Sequence, residues 1–288
     1  MADTGLILAR AATYATLLPA AGLPFYLATA GRVAAVSRIE RRVVVLLALG
    51  ALLASVWWAL ASVAAMAALP LSRLDRETVT AVLGATPLGT VLAVRAAALI
   101  VLALAALCRV PMVLAALPAL VALATCAYTG HAGATEGTAG TLHRVGNGVH
   151  LAAAACWIGA LLSLAGGALG REPGERLGPR LTAFARTGTV IVALLLATGI
   201  ANTLLIAGWP VMWTSAWTLL LGAKVALFGM MLGLAGLNRW YSSPALARRE
   251  GSARRQLRLS LAVETALALG VLVLVAALGV LDPAGTAG

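Results

Sequence analysis

All three histidines of the chain lie within one short stretch, residues 126–159, together with two of its three cysteines. The histidines are His131, His143 and His150, and Cys126 opens the stretch. Imidazole nitrogen binds copper, zinc, iron and nickel, whereas thiolate and thioether sulfur favour Cu(I). Any transition-metal chemistry of this protein is therefore expected to depend on this stretch.

The spacing of these residues predicts a shared helix face. His143, Asn147, His150 and Trp157 follow one another at helical offsets, with His143 included only if the helix begins early enough. We expect the ring of His131 to approach that of His150 across the preceding helical hairpin. A metal site is therefore predicted on His131 and His150.

Three more residues are weaker candidate ligands. His143 lies at the mouth of the helix, and it is a weaker candidate because a histidine in a loop is often simply solvated. Cys126 is another, although buried cysteines are more often small apolar side chains than ligands. Met66 offers a thioether from a different apolar segment.

The composition predicts a membrane protein. Hydrophobic residues make up 61% of the 288 residues and charged residues only 11%, whereas a soluble domain carries roughly 25% charged residues. Such a chain must be solvated by lipid. No polar segment is long enough for a second domain, so we expect one all-α domain over residues 1–288.

Eight segments are long and apolar enough, or nearly so, to cross a bilayer as helices. They are Gly5–Ala30, Val43–Leu69, Pro87–Leu107, Pro111–Thr129, Val145–Leu169, Leu181–Ala207, Thr214–Leu237 and Leu257–Leu281. The N-terminal segment is expected to begin the first span and not to be a removed signal. The amphipathic segment Leu71–Gly84 is expected to lie at the membrane interface.

The distribution of basic residues predicts the orientation of these spans. The connections from odd-numbered to even-numbered spans hold 15 of the 21 Lys and Arg residues, and the other connections hold only three. Basic loops stay in the cytoplasm, so we expect both termini and all three histidines on the periplasmic side. The net charge of +11 is then an orientation signal and a contact for anionic lipid, and no nucleic-acid partner is expected.

Four polar residues inside the predicted spans are candidates for function, because such residues are rare in membrane helices. Arg95 and Lys224 lie too deep to reach the head groups, so interior pairing or a wet cavity is expected. Glu264 is one candidate partner for Lys224, although their depths differ by about 10 Å. For Asn202 we favour a helix–helix hydrogen bond over a cavity-lining role. Arg10 is expected to snorkel to the head groups.

Several motifs resemble the copper-resistance protein D (CopD/PcoD) family of inner-membrane proteins. The two histidine motifs are TGHA at Thr129–Ala132 and VHLAAAACWIGALL at Val149–Leu162. The resemblance continues through TPLGTVLAVRAA, which contains Arg95, then ATGIANTLL and LLLGAKVALFGMMLGLAGLNRW, and it is strongest over residues 86–246. The first two spans match only in hydropathy.

This resemblance implies an eight-span protein that handles copper, as Cu+ or Cu2+, at the bacterial inner membrane. Uptake from periplasm to cytoplasm is the usual role, often beside a periplasmic copper-binding protein. His131 and His150 match motif positions, whereas His143 is not clearly one. Ala160 stands where a second glycine is common, which affects helix packing but not the histidines.

Two other functions fit the same residues. A b-type haem electron carrier would use two histidines on adjacent helices as axial ligands, with Arg95 or Lys224 facing the propionates. A non-transporting assembly subunit would use the histidines only for packing. No Walker loop, GxGxxG, GxSxG or HExxH motif occurs, so an enzyme is not expected.

Overall fold

The computed structural model describes residues 4–30, 36–170, 174–209, 211, 215–242, 244–245, 248 and 252–283, and these contain helices and no strand. The helices are α1 Thr4–Ala30, α2 Arg38–Met66, α3 Arg76–Ala85, α4 Pro87–Leu107, α5 Met112–Ala124, α6 Gly130–Ala134, α7 Gly137–Leu169, α8 Gly174–Ala207, α9 Ala216–Leu237 and α10 Ala253–Leu278. Short 3₁₀ turns occupy Leu71–Arg73 and Thr125–Tyr128, and a π-turn occupies Asn238–Ser242. The all-α fold is confirmed.

Seven of these helices are long and apolar enough to cross a membrane: α1, α2, α4, α7, α8, α9 and α10. The fourth predicted span corresponds to the shorter apolar helix Met112–Tyr128. Pro118 lies inside it and its last turn is 3₁₀. Its 17 residues reach only the lower limit for a span, so the count of eight stays a prediction. Both chain termini lie outside the described residues.

Several helices, among them α2, α7 and α8, begin earlier than hydropathy predicts. Helix α2 starts at Arg38 because Ser37 and Glu40 form a capping box, each side chain bonding the other's backbone N–H. Helix α7 starts at Gly137 rather than near Val145, so the condition for His143 to join the shared face is met. Hydropathy marks where a chain meets lipid, and a helix continues beyond that limit wherever its backbone bonds are satisfied.

Helix α1 lies at the centre of the bundle and packs against α2, α5, α7 and α10. It crosses α7 in backbone contact at Gly22 and Gly159. A Cβ on Gly22 would lie 1.7 Å from the Ala155 carbonyl oxygen, and one on Gly159 would lie 2.2 Å from the Gly22 backbone. Neighbouring Ala160 is fully buried. Small residues allow this close approach, which gives membrane helices much of their packing energy.

Helices α8 and α9 lie at the periphery. Helix α8 packs against α7, and α9 packs against α10, but in the described part of the chain α8 and α9 scarcely contact each other although they are consecutive. Few of their spanning residues are buried in the bundle. The space between them forms a lateral groove, described below.

Candidate metal-binding chamber

One chamber inside the bundle collects all three histidines. We call it the histidine chamber, and its volume is about 180 Å³. Its polar lining residues include Arg10, Cys126, His131, His143, Asn147, His150, Asn202, Trp217 and Lys224. His143, Asn147 and His150 of the predicted α7 face thus line a single cavity, which Trp157 of the same face does not line, and His131 reaches this cavity from α6.

The turn before His131 is fixed by a buried arginine. Arg95, 1% exposed, donates from Nε to the Thr125 hydroxyl at 2.7 Å and from Nη2 to Cys126 Sγ at 3.5 Å. Its guanidinium also lies 4.9 Å from the centre of the Trp58 ring. Arg95 therefore finds interior partners, none of them a carboxylate, and holds the end of α5 in place.

Gly130 then redirects the chain into α6. Its φ of +66° is a left-handed conformation that glycine adopts without strain. A Cβ at Gly130 would lie 3.5 Å from Arg10 Nη2. The TGHA motif therefore combines a glycine-dependent turn with the histidine that the turn presents to the chamber.

Each histidine has one ring nitrogen held by an oxygen of a neighbouring segment. His131 Nε2 lies 3.3 Å from the Leu278 carbonyl oxygen on α10. His143 Nδ1 lies 3.0 Å from the Thr135 hydroxyl, and His150 Nδ1 lies 2.9 Å from the Thr198 hydroxyl on α8. These contacts determine which nitrogen of each ring carries the proton in the neutral state.

The partners of these oxygens assign the tautomers. A carbonyl oxygen only accepts, so His131 Nε2 must be the donor. The Thr135 hydroxyl already donates to the His131 carbonyl, and the Thr198 hydroxyl to the Leu194 carbonyl. Both hydroxyls must therefore accept from the histidine Nδ1–H. One nitrogen per ring keeps a free lone pair: Nδ1 of His131 and Nε2 of His143 and His150.

The three free nitrogens do not form a ready-made metal cluster. Within the part of the chain that the structure describes, no three His, Cys, Asp or Glu side chains gather closely enough to hold an ion. Cys126 lines the chamber, but its sulfur accepts the Arg95 bond. Met66 is 58% exposed at the end of α2 and is not among the residues that line the chamber. A bound ion would have to draw two or three imidazoles together.

The other polar residues of the chamber are mostly donors or cations. No Asp or Glu occurs among its described lining residues. Arg10 Nε, Trp217 Nε1 and Asn202 Oδ1 are buried and have no hydrogen-bond partner among the described residues. The helix–helix hydrogen bond favoured for Asn202 is thus not formed, and the residue lines the cavity instead. Arg10 lines it too, packed against Gly279, and so does not simply snorkel outward.

The candidate pair of Lys224 and Glu264 is not formed. Lys224 lines the histidine chamber, whereas Glu264 lies on another cavity and is 1% exposed. The Glu264 carboxylate accepts from Trp157 Nε1 at 2.9 Å. Trp157 stacks edge-on against Phe184 and Phe228. The difference in depth along their helices separates the two charges.

Comparison with known families adds the biological context. The family model "Copper resistance protein D-like, N-terminal domain" matches residues 1–141, and the model "Copper resistance protein D" matches residues 179–278. The chain belongs to the copper-resistance protein D family. The first match includes the first two spans, which had resembled the family only in their hydropathy. Members of this family are membrane proteins linked to copper resistance.

Two curated relatives agree with this assignment. "Copper resistance protein D" of Pseudomonas syringae pv. tomato is 38% identical over 155 residues, and "Inner membrane protein YebZ" of Escherichia coli strain K12 is 31% identical over 145 residues. Each match covers 49% of this chain and about half of the relative. No solved structure matches the chain significantly. The apolar helices and these relatives make the protein a multi-pass inner-membrane protein.

The histidines are evident in the sequence, but the threonines that hold two of them are not. Thr135 and Thr198 are ordinary residues for a membrane protein, although Thr198 lies four residues before Asn202 on one face of α8. The sequence signal for Thr198 is its spacing of four residues from Asn202, which puts two polar side chains on one face of a membrane helix. The Leu278 carbonyl could not have been found, because any backbone oxygen is equivalent in a sequence.

Proposed function

We propose that the protein binds copper in the histidine chamber and transfers it across the inner membrane, from periplasm to cytoplasm. The supporting observation is that three imidazoles reach one cavity, each with one nitrogen held as a donor and the other free. Metal-binding histidines characteristically donate a hydrogen bond from their second ring N–H to a carbonyl or another oxygen, which fixes the ring and raises its basicity. Copper here is the transported ion.

His131 and His150 are the principal ligands in this proposal. They come from different helical segments, so one ion bridging them would link α6 to α7. His143 is the third ligand, since it is 1% exposed and its Nδ1 is held by Thr135. Cys126 and Met66 are assigned no ligand role, the first because its sulfur is engaged by Arg95 and the second because it lies outside the chamber.

The name of the Pseudomonas relative supports copper rather than zinc or iron as the ion. The direction is the role that the family resemblance implies, and it is supported by the basic-residue pattern, which predicts a chamber on the periplasmic side. A separate periplasmic copper-binding protein would deliver the ion, since the histidine chamber is small and recessed. A cytosol that chelates copper tightly would then draw it inward.

A transport assay tests this function. Proteoliposomes containing a Cu(I) chelator are expected to accumulate Cu(I) with the wild-type protein, and His150→Ala should lower the rate by at least about tenfold. The matched control is Val149→Ala, next to His150 on α7, because Val149 is exposed and does not line the chamber. Equal uptake by wild type, His150→Ala and protein-free liposomes would overturn the proposal.

A further inference from the structure

A second cavity merges with the histidine chamber. We call it the lateral groove, and it has a volume of about 360 Å³ between α7, α8, α9 and α10. Its lining is almost wholly apolar and includes Ile200, Val225, Phe228 and Met231. Pockets of 300–1,000 Å³ with apolar walls and a few polar groups are typical of small-molecule sites.

The groove opens toward lipid because α8 and α9 scarcely touch each other in the described residues. Ile200 is 62% exposed and Val225 is 59% exposed along this opening. A molecule that enters from the bilayer would therefore meet apolar walls first. It would meet polar side chains only at the end where the groove joins the chamber.

Lys224 lies at that junction, and with His150 it lines both cavities. Among the described residues it has no acidic partner within 4.0 Å, and neither cavity has an Asp or Glu in its lining. The chamber also contains Arg10 and the unpartnered Trp217 Nε1, which is in a side chain only 3% exposed. Among the described residues, two cations and a buried free donor thus line these cavities without a carboxylate, a setting that favours binding of a negatively charged group.

The depth of Lys224 restricts the source of that charge. It lies eight residues after Ala216, the first residue of α9, which is about 12 Å along the helix. A phospholipid keeps its phosphate at the interface and would not reach this depth with both chains in the bilayer. A single-chain acid can place a carboxylate there, because its only polar group enters the chamber.

We propose that the lateral groove and the histidine chamber together bind a long-chain carboxylate, with its chain in the groove and its head group on Lys224. The carboxylate accepts hydrogen bonds from the lysine ammonium, and Trp217 Nε1 and Arg10 Nε supply further donors within the same chamber. This carboxylate site depends on the cations and the apolar walls and not on the imidazoles, so it does not require that copper be bound.

The test measures binding of radiolabelled dodecanoate to the full-length protein in phosphatidylcholine nanodiscs, with empty nanodiscs subtracted. Lys224→Met should weaken binding at least about tenfold, the loss of one charged hydrogen bond, and Lys224→Arg should restore most of it. Ile200→Trp should block the groove. Val190→Trp is its control, because Val190 is 59% exposed on the same helix and lines neither cavity.

Competing ligands test the contributions of the head group and of the chain separately. Dodecanol, which lacks the charge, and hexanoate, which lacks the chain, should each compete at least about tenfold less well than dodecanoate. Equal binding by Lys224→Met and wild type, or equal competition by dodecanol, would overturn the proposal. Co-purification of a neutral quinone or a phospholipid in place of a long-chain acid, seen by mass spectrometry, would also overturn it. An unchanged size-exclusion profile shows that a variant is folded, and restored binding by Lys224→Arg shows that the loss in Lys224→Met comes from the missing charge.

Discussion

Two threonine hydroxyls control which nitrogen His143 and His150 can offer to a metal. Each hydroxyl donates its hydrogen to a helix carbonyl and so can only accept from the ring. Without that partner an imidazole exchanges freely between its two tautomers and rotates about its side-chain bonds. The threonines are therefore positioning residues for the proposed ligands.

Thr198→Val removes the hydroxyl with little change in shape. We expect copper affinity to fall about 10- to 100-fold, the usual effect of losing an outer partner of a metal-binding histidine. The measurement is competition with a colorimetric Cu(I) chelator in detergent. Thr187→Val is the control, because that hydroxyl bonds only the Ala183 carbonyl of the same helix. Unchanged affinity in Thr198→Val would show that the hydroxyl does not hold the ring of a ligand.

Residues of the candidate site could be identified from the sequence only where their residue type is rare in the chain. Histidine occurs three times in the chain, and all three histidines line the chamber. Threonine, arginine and tryptophan have ordinary structural uses in membrane helices, so their roles depend on neighbours that no sequence spacing reveals. Cys126 and Met66 show the same limit, since one is engaged by Arg95 and the other lies outside the chamber.

Helix α7 carries two histidines of the chamber, and its crossing with α1 sets their position. The crossing depends on Gly22 and Gly159, whose backbones touch. A single methyl group at either position collides with main-chain atoms, which cannot move aside as a flexible side chain can. Tyr14 and Arg10, about two and three turns from Gly22 on α1, line the same chamber, so a shift of α1 would also change its wall.

Gly159→Ala tests this crossing. The added Cβ would lie 2.2 Å from the Gly22 backbone, so we expect a loss of about 1–3 kcal/mol in stability or more. The readout is the midpoint of thermal unfolding in detergent, followed by tryptophan fluorescence. Gly148→Ala on the same helix is the control, because its Cβ would meet nothing within 4 Å. A midpoint for Gly159→Ala at or above that of Gly148→Ala would contradict the close crossing.

Element boundaries were predictable where they coincide with the edge of an apolar segment, as for α1 and α4. They were not predictable where capping or a polar first turn extends the helix. The early start of α7 is the case that matters for function, because it brings His143 onto the helix face. The short helix α5 is the converse case, since its α-helical part ends at Ala124 and a 3₁₀ turn follows, whereas hydropathy predicts one span as far as Thr129.

At the scale of the whole molecule, the asymmetry of basic residues predicts that the chamber faces the periplasm. Cys108 is the exposed cysteine, whereas Cys126 and Cys156 are buried. A membrane-impermeant thiol reagent should therefore fail to label Cys108 in intact spheroplasts and label it after lysis. Thr138→Cys in a Cys108→Ala background should give the opposite pattern, because residue 138 is exposed near the chamber. The reverse result for both sites would invert the topology and the direction of transport.

The general architecture followed from composition, since 61% hydrophobic residues can be solvated only by lipid. The separation of α8 from α9 did not follow, because hydropathy does not distinguish a helix that packs in the bundle from one that faces lipid. The lateral groove and its junction at Lys224 are consequences of that separation. They became visible only when the helices were placed together.

The central claim is that His131 and His150 hold one copper ion together. The most direct measurement is the copper content of purified protein after Cu(I) loading and desalting, for wild type, His131→Ala, His150→Ala and the Val149→Ala control. We expect about one copper per chain in wild type and control, and a large loss in each histidine variant, because a ligand pair fails when either member is removed. Full copper content in both histidine variants, or a Soret absorption band in wild type that disappears in His150→Ala, would contradict the claim.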